Sequence, residues 1–342
     1  MSQSLDIAVI GATGTVGETL VQLLEEREFP VGNLYLLASG ESAGASVPFK
    51  GRNLRVRDVA DFDFAQVKLV FFAAGEAATR SFAASATGAG CSIIDLSGAL
   101  DASEAPSLVP EANPQLLEGL VPPYSLSSPS ASAVALACVL APLKGLLKPQ
   151  RLSVLANLAV SSRGREGVNE LARQTAELLN ARPLEPRFFD RQIAFNIFAQ
   201  VAAPDAQGHI ALERRLGAEI KQLLGEPGLR VAATCALAPV FFGDSLAVSL
   251  VAEQAVDLAA VRECLSRAPG VEFVEEEGDY PTAVGDAVGQ DSVYVGRVRG
   301  GLDDPCELNL WIASDNARKG AALNAVQSAE LLIKHYLSKI LT

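Results

Sequence analysis

The sequence predicts an α/β protein, a doubly wound parallel sheet followed by a second, α+β domain. Three observations predict it. A short apolar run at residues 6–10 ends in the glycine turn Gly11-Ala-Thr-Gly14-Thr-Val-Gly17, which opens a helical pattern. Apolar runs and helical patterns then alternate to residue 96, as expected when each parallel strand is joined to the next by a crossover. From residue 152 the texture changes to longer strands and helices.

Taking the elements in order, Val16, Leu20, Leu23 and Leu24 fall on one face of the first helix. Gly11 allows a tight turn, Gly14 lets a pyrophosphate approach the backbone, and Gly17 lets the helix pack on the strand. Thr13, Thr15 and Val16 complete this cradle at a helix N-terminus. A lone glycine triplet is as often an ordinary loop, but here strand and helix flank it on the correct sides, as in a Rossmann-like nucleotide site. Residues 34–38 form the second strand and run into Ala38-Ser39-Gly-Glu41, where an adenosine ribose would lie. The Glu41 carboxylate can accept ribose hydroxyls and repels a 2′-phosphate, which disfavours NADP relative to NAD. Glu41 reads equally well as a solvated loop charge. A buried strand over 67–73, a helix over 77–87 and a strand over 91–96 continue the sheet.

Residues 123–134, Pro-Tyr-Ser-Leu-Ser-Ser-Pro-Ser-Ala-Ser-Ala-Val, carry five serines just ahead of an Ala- and Leu-rich helix over 131–147. Serines in such a place suit a helix N-cap. Beyond them come a strand over 152–160, a helix after Gly164, a helix over 210–224 and strands over 230–236 and 245–252, read as a largely antiparallel sheet. A strand over 307–313 and an amphipathic helix over 317–341, docked on the first domain, close the chain. The Pro-rich stretches 104–114 and 182–187 are loops or crossings.

Composition bounds the function. With 342 residues and 49% hydrophobic content, the chain can build two cores. No apolar run approaches the ~18 residues of a membrane span, and Met1-Ser-Gln-Ser is not a basic, apolar leader, so a cytoplasmic protein without membrane contact is expected. A net charge of −12 argues against nucleic acid. The five cysteines are scattered and read as reduced core thiols; with only His209 and His335 besides, no metal site is expected.

Several motifs then resemble one family. Gly11-Ala-Thr-Gly-Thr-Val-Gly17, Phe72-Ala-Ala-Gly75, Ile94-Asp-Leu-Ser-Gly-Ala99, Val109-Pro-Glu-Ala-Asn113, Ala233-Thr-Cys235, Val295-Gly-Arg-Val-Arg299 and the long run Asp315-Asn-Ala-Arg-Lys-Gly-Ala-Ala-Leu-Asn-Ala-Val-Gln327 are similar to aspartate-semialdehyde dehydrogenase, from end to end and in the family's order. The resemblance implies an NAD(P)-binding domain of residues 1–129 plus 316–342, an inserted substrate and dimerisation domain of residues 130–315, and a homodimer. It also implies a reaction through a cysteine thioester, with a histidine as acid and base and NADP as hydride carrier.

The residues at the family's active positions differ. Where the family has Asn-Pro-Asn-Cys, this chain has Ser128-Pro129-Ser130-Ala131, so the nucleophile position holds Ala131. In Leu237-Ala-Pro239-Val-Phe-Phe-Gly243-Asp244, the substrate-clamping arginine is matched by Leu237 and the acid/base histidine by Asp244, which at its ordinary pKa of about 3.9 would be ionised and a poor proton donor. The orienting glutamine is matched by Leu158 and the phosphate-binding arginine by Asp101, a charge reversal. Only Glu213 and Arg215, near the amino- and phosphate-binding positions, keep comparable chemistry. The resemblance therefore implies a catalytically silent relative acting as a binding, scaffolding or regulatory protein, which can pair with itself or form a heteromer with an active dehydrogenase. NAD or NADP is possible by ancestry, or no cofactor at all. The alternative is an altered NAD(P)-dependent oxidoreductase without a thioester, using Asp244 and a serine from 127–132 for protons and Arg163 or Arg165 as an anion clamp; those arginines read more simply as a solvated helix start. Arg318 and Lys319 reach either the nicotinamide cleft or solvent and a partner subunit.

Overall fold

The computed structural model describes residues 4–40, 42–276 and 278–335. The chain divides into two compact units, Met1–Ser130 with Ala321–Thr342, and Ala131–Gly320.

The first unit is built on β1 (Leu5–Ile10), α1 (Thr15–Glu26), β2 (Val31–Ala38), a small hairpin of β3 (Ser46–Phe49) and β4 (Arg52–Arg55), β5 (Arg57–Asp58), β6 (Leu69–Phe72), α2 (Glu76–Gly88), β7 (Ser92–Asp95) and β8 (Ser125–Ser127). Six of these strands form one sheet in the order β5-β2-β1-β6-β7-β8, with every pair parallel. All residues of β6 and β7 are buried, and β6 accordingly reads as an unbroken apolar run. Helix α1 buries Gly17, Leu20, Val21, Leu23 and Leu24, leaving Val16 partly exposed. Strand order reverses between β1 and β6, the switch point at which ligands of such sheets bind.

The second unit contains α3 (Ala131–Leu147), β9 (Pro149–Leu158), α4 (Gly164–Leu179), α5 (Ala211–Leu224), β10 (Arg230–Leu237), β11 (Asp244–Ala252), α6 (Leu258–Ser266), β12 (Val271–Phe273), β13 (Val293–Gly300) and β14 (Glu307–Ser314). Its sheet has the order β10-β9-β11-β14-β13-β12. The expectation of a largely antiparallel sheet needs correction: the three central pairs are antiparallel, but both outer pairs, β10–β9 and β13–β12, are parallel. The β9–β10 pair is parallel because α4 and α5 form a crossover between the strands.

Alternation along these strands gives the sheet two unlike faces. Leu152, Val154, Ala156 and Leu158 of β9, Leu246, Val248 and Leu250 of β11, and Leu308, Leu310 and Ile312 of β14 are buried. Helix α3 packs on β11, β13 and β14 and is itself buried along most of its length, so the Cys138 thiol lies in the core. The other face carries Ser153, Leu155, Ala247, Ser249, Asn309 and Trp311 and is open, forming a hollow of about 700 Å³. Cys91 and Cys235 are also buried, but Cys264 and Cys306 are partly exposed, so not every cysteine is a core thiol.

The expected helix over 317–341 is two pieces. A π-helical turn, Arg318–Leu323, precedes α7 (Asn324–His335), and residues 336–341 lie outside the described residues. Within the first unit, Ala325, Val326, Ala329 and Leu332 of α7 join the core formed by α1 and β1, and Glu330 accepts two hydrogen bonds of 2.7 Å from Arg27.

Candidate functional site

The glycine turn of the first unit is determined by backbone. Gly11 leaves β1 at φ +87°, donating its N–H to Leu37 O at 2.8 Å. A Cβ on Gly11 would stand 2.7 Å from backbone atoms of Ala73 and Ala74, and one on Gly17 would stand 2.1 Å from Gly11 O. Neither position admits a side chain. Gly14 is the N-cap of α1 and, as glycine, supplies no side-chain cap to the first-turn N–H groups of the helix, beside which stand Thr13, Thr15 and Val16. That donor set fits the diphosphate of a dinucleotide. Ser39 is exposed at the end of β2, while Glu41 lies outside the described residues.

Two features of this unit were not legible locally. Strand β5 places Arg57 and Asp58 beside Leu37 and Ala38, and with Arg55, Ala43 and Gly44 they line a hollow of about 380 Å³ next to the end of β2. The pairing is non-local, so only the basic pair in Arg55-Val-Arg57 could have hinted at it. At the end of β7, buried Asp95 accepts the N–H groups of Ser97, Ala99 and Leu100 and the hydroxyls of Ser97 and Thr79. Asp95 thus shapes the turn that leads to Asp101, which is exposed.

In the second unit, three of the expected site positions, Leu237, Leu158 and Asp244, come together. Leu237 pairs with Leu158 across β10 and β9, and Asp244 pairs with Ser314 across β11 and β14. Because Ser245 pairs with Asn157, Leu158 and Asp244 are neighbours, and one row runs Leu237, Leu158, Asp244, Ser314 across four strands. All four are buried, at 1%, 4%, 3% and 2% exposure. Ala131 begins α3 and is half-buried; a Cβ built on Gly320 would lie 2.6 Å from its methyl group. Gly320 N in turn donates to Asp315 O at 2.8 Å.

Asp244 departs from its ordinary carboxylate range. Burial raises its pKa to about 7, against the opposing effect of the Ala159 N–H, which donates to Oδ1 at 2.9 Å, and the Asp315 charge adds to the rise. Asp315 itself accepts from Ala317 and Arg318 N–H on Oδ1 and from Gly289 N–H on Oδ2. The next residue, Asn316, accepts the Gly243 N–H at 2.9 Å and donates to Ser161 Oγ at 3.0 Å. Much of the Asp-Asn-Ala-Arg-Lys-Gly run is therefore scaffold that ties the sheet end to its loops. Ser314 Oγ is buried with no hydrogen-bond partner among the described residues.

The remaining expected residues separate from this row or serve structure. Glu213 accepts the N–H groups of Ile210 and Cys235, and Arg215 forms an ion pair with Glu219 at 2.6 Å. Arg163 and Arg165 are exposed at the start of α4. Arg318 pairs with Asp291, but Lys319, in the same π-turn, is wholly buried and not a solvent-facing residue. Ser127, Ser128 and Ser132 are buried; Ser128 accepts a hydrogen bond from Asn324 at 2.9 Å in the first unit. The thiol on the row's own strand, Cys235, is pushed up to about 12, by burial first and then by Glu213 and Asp244. Among the described residues no cluster of His, Cys, Asp or Glu is arranged to hold a metal ion, and no helix is long and apolar enough to cross a membrane.

Comparisons with known proteins agree with this layout. Residues 6–120 match the family model "Semialdehyde dehydrogenase, NAD binding domain", and residues 140–319 match "Semialdehyde dehydrogenase, dimerisation domain". The chain is 62% identical over 334 residues to a "USG-1 protein homolog" of Azotobacter vinelandii, covering 98% of this chain and 99% of that protein. A solved structure described as a probable aspartate-semialdehyde dehydrogenase from Pseudomonas aeruginosa is 60% identical with a TM-score of 0.95, over 98% of this chain and 100% of that one. Aspartate semialdehyde dehydrogenase II from Vibrio cholerae, solved in complex with ASA, is 38% identical with a TM-score of 0.95 over the same shares. The glycine turn, the mixed sheet and the end-to-end similarity together place the chain in the aspartate-semialdehyde dehydrogenase family.

Proposed function

We propose that this chain is a catalytically silent member of the family, acting as a binding, scaffolding or regulatory protein. The observation that carries this reading is Ala131 at the head of α3, with Leu237, Leu158 and Asp244 in one row at the end of the adjoining sheet. A methyl group cannot form a thioester, so the covalent route has no first bond. Cys235 does not replace it, since a thiol with a pKa near 12 supplies almost no thiolate at neutral pH. With Leu237 and Leu158 buried at the clamping and orienting positions, the row offers an anionic substrate no guanidinium and no amide.

The nucleotide domain keeps its turn, and Thr13, Thr15, Val16 and the α1 N-terminus would hold the diphosphate of a dinucleotide. Such a cofactor supplies hydride transfer in this family. The preference for NAD rests on Glu41; Arg55 and Arg57 at the same end of β2 act in the opposite sense, so the preference is modest. Calorimetric titration with NAD, NADP and ADP measures it.

The partner proposed is a second copy, seated on the open face of the second unit's sheet. Leu155 and Tyr280 are 41% and 55% exposed around its hollow, and that unit matches a dimerisation domain. A heteromer with an active dehydrogenase is the regulatory form of the same idea. Light scattering on the pure chain, and co-purification of unlike subunits, distinguish the two.

One observation favours a second reading, an altered oxidoreductase without a thioester: Asp244 is poised near neutral pH, where a proton handler works best. Purified protein given aldehydes with NAD or NADP distinguishes the readings through absorbance at 340 nm. A silent protein gives no change, whereas turnover in the absence of any cysteine adduct would establish the second.

A further inference from the structure

Two buried carboxyl groups stand together at the end of the second sheet. Asp244 opens β11, and Asp315 follows Ser314, the residue paired with Asp244. They are 3% and 6% exposed. Their hydrogen bonding is unequal: Asp315 accepts three backbone N–H groups, at 2.8 to 2.9 Å, whereas Asp244 accepts one, from Ala159. Backbone donors favour an ionised carboxylate, while burial and a like charge disfavour it. The negative charge therefore belongs on Asp315 and the proton on Asp244.

Asp244 is also central to a ring of contacts. Its Oδ1 holds Ala159, at the start of the loop over 159–163. That loop is bound to residues 240–241 by Val160 N to Val240 O and Ser161 N to Phe241 O, at 2.9 and 3.1 Å. Asn316 joins Gly243 N to Ser161 Oγ. We infer that Asp244 is a proton-dependent latch: neutral, it lets the 159–163 loop pack against residues 240–244 and 315–316; ionised, buried and repelled by Asp315, it loosens that corner even though its bond to the Ala159 N–H favours the charge.

Other titratable groups occupy the neighbouring elements. Cys235 is on β10, with Glu213 of α5 bonded to its N–H. Asp286, in the π-turn that abuts Gly243, is bound to Thr282, and Arg318 and buried Lys319 follow Asp315, Arg318 being paired with Asp291. Of these, Asp315 is the group whose charge acts on Asp244, and Asp244 in turn raises Cys235.

The sign follows from linkage. A carboxyl group with a raised folded-state pKa keeps its proton after the unfolded chain has lost it, so its contribution is complete below the ordinary pKa and is lost as pH rises to about 7. The test compares wild type with Asp244→Asn, which retains an acceptor for Ala159 and cannot ionise. The folding constant of wild type relative to the variant should fall by roughly fiftyfold between pH 5 and 7 and level off above pH 8. Groups other than residue 244 are present in both proteins and cancel. A second measurement needs no variant: amide exchange at Ala159 and Gly243, corrected for its intrinsic pH dependence, should show opening about tenfold more frequent at pH 8 than at pH 6. A ratio that does not change with pH would overturn the latch. If Asp244→Asn does not fold, flat corrected exchange in wild type would overturn it equally.

Discussion

The Gly11–Gly17 turn and the row from Leu237 to Ser314 both lie at strand ends, yet different parts of the molecule fix them. The turn is set by backbone, with φ +87° at Gly11 and no room for a Cβ at Gly17. It would be needed to join β1 to α1 whether or not a nucleotide ever bound. The row is set by side chains, and here those are two leucines, a buried carboxyl group and a hydroxyl with no partner among the described residues. A sheet end can exchange polar for apolar groups without disturbing its hydrogen-bonded ladder, because the ladder uses only main-chain atoms. Folding therefore preserves the first region and leaves the second free to change.

That contrast can be broken or sharpened by substitution. The largest effect is expected for Gly17→Ala, whose methyl group would overlap Gly11 O; a loss of about 4 kcal/mol or more should appear in urea unfolding. A mild effect would mean that the turn can relax and is not fixed by folding. Leu237→Arg places a guanidinium at a position 1% exposed and should cost about 3 kcal/mol or more, since the nearest carboxyl group in the row, Asp244, lies two strands away and is held largely protonated by burial. If the arginine were tolerated, the row would be a site awaiting a ligand, not part of the core. The smallest effect belongs to Ala131→Cys. At a half-buried helix start, stability should change by no more than about 1 kcal/mol, and turnover should stay absent because Asp244, Leu158 and Leu237 are unchanged. Recovery of activity from this one change would show that the other positions still serve catalysis.

Legibility in the sequence follows the same division. Strand β6 and the first turns of helix α3 were readable because burial leaves largely apolar runs, and β7 because Ile93-Ile94 continues the alternation of strand and helix. The β3–β4 hairpin was not, since Arg52-Asn-Leu-Arg55 is mostly exposed and carries no apolar period. The amphipathic pattern after residue 317 suggested one continuous helix; the π-turn follows Asp315, whose carboxylate accepts the Ala317 and Arg318 N–H groups, a side-chain cap that periodicity does not encode. At the row, the residue types could be read from the family's motifs, but the proton on Asp244 could not. It depends on Ala159 and Asp315, which are 85 and 71 positions away along the chain yet adjacent at the sheet end. Lys319 was equally hidden, because a lysine beside an arginine reads as surface until the backbone turns it inward.

The central claim is that the covalent route is closed, and steady-state turnover of aspartate semialdehyde with phosphate and NAD or NADP tests it most directly. The expected result is no formation of reduced nucleotide above background, with intact-mass measurement finding no acyl adduct. Turnover near the ordinary enzyme value of about 10 per second, with an adduct on any of the five cysteines, would contradict it.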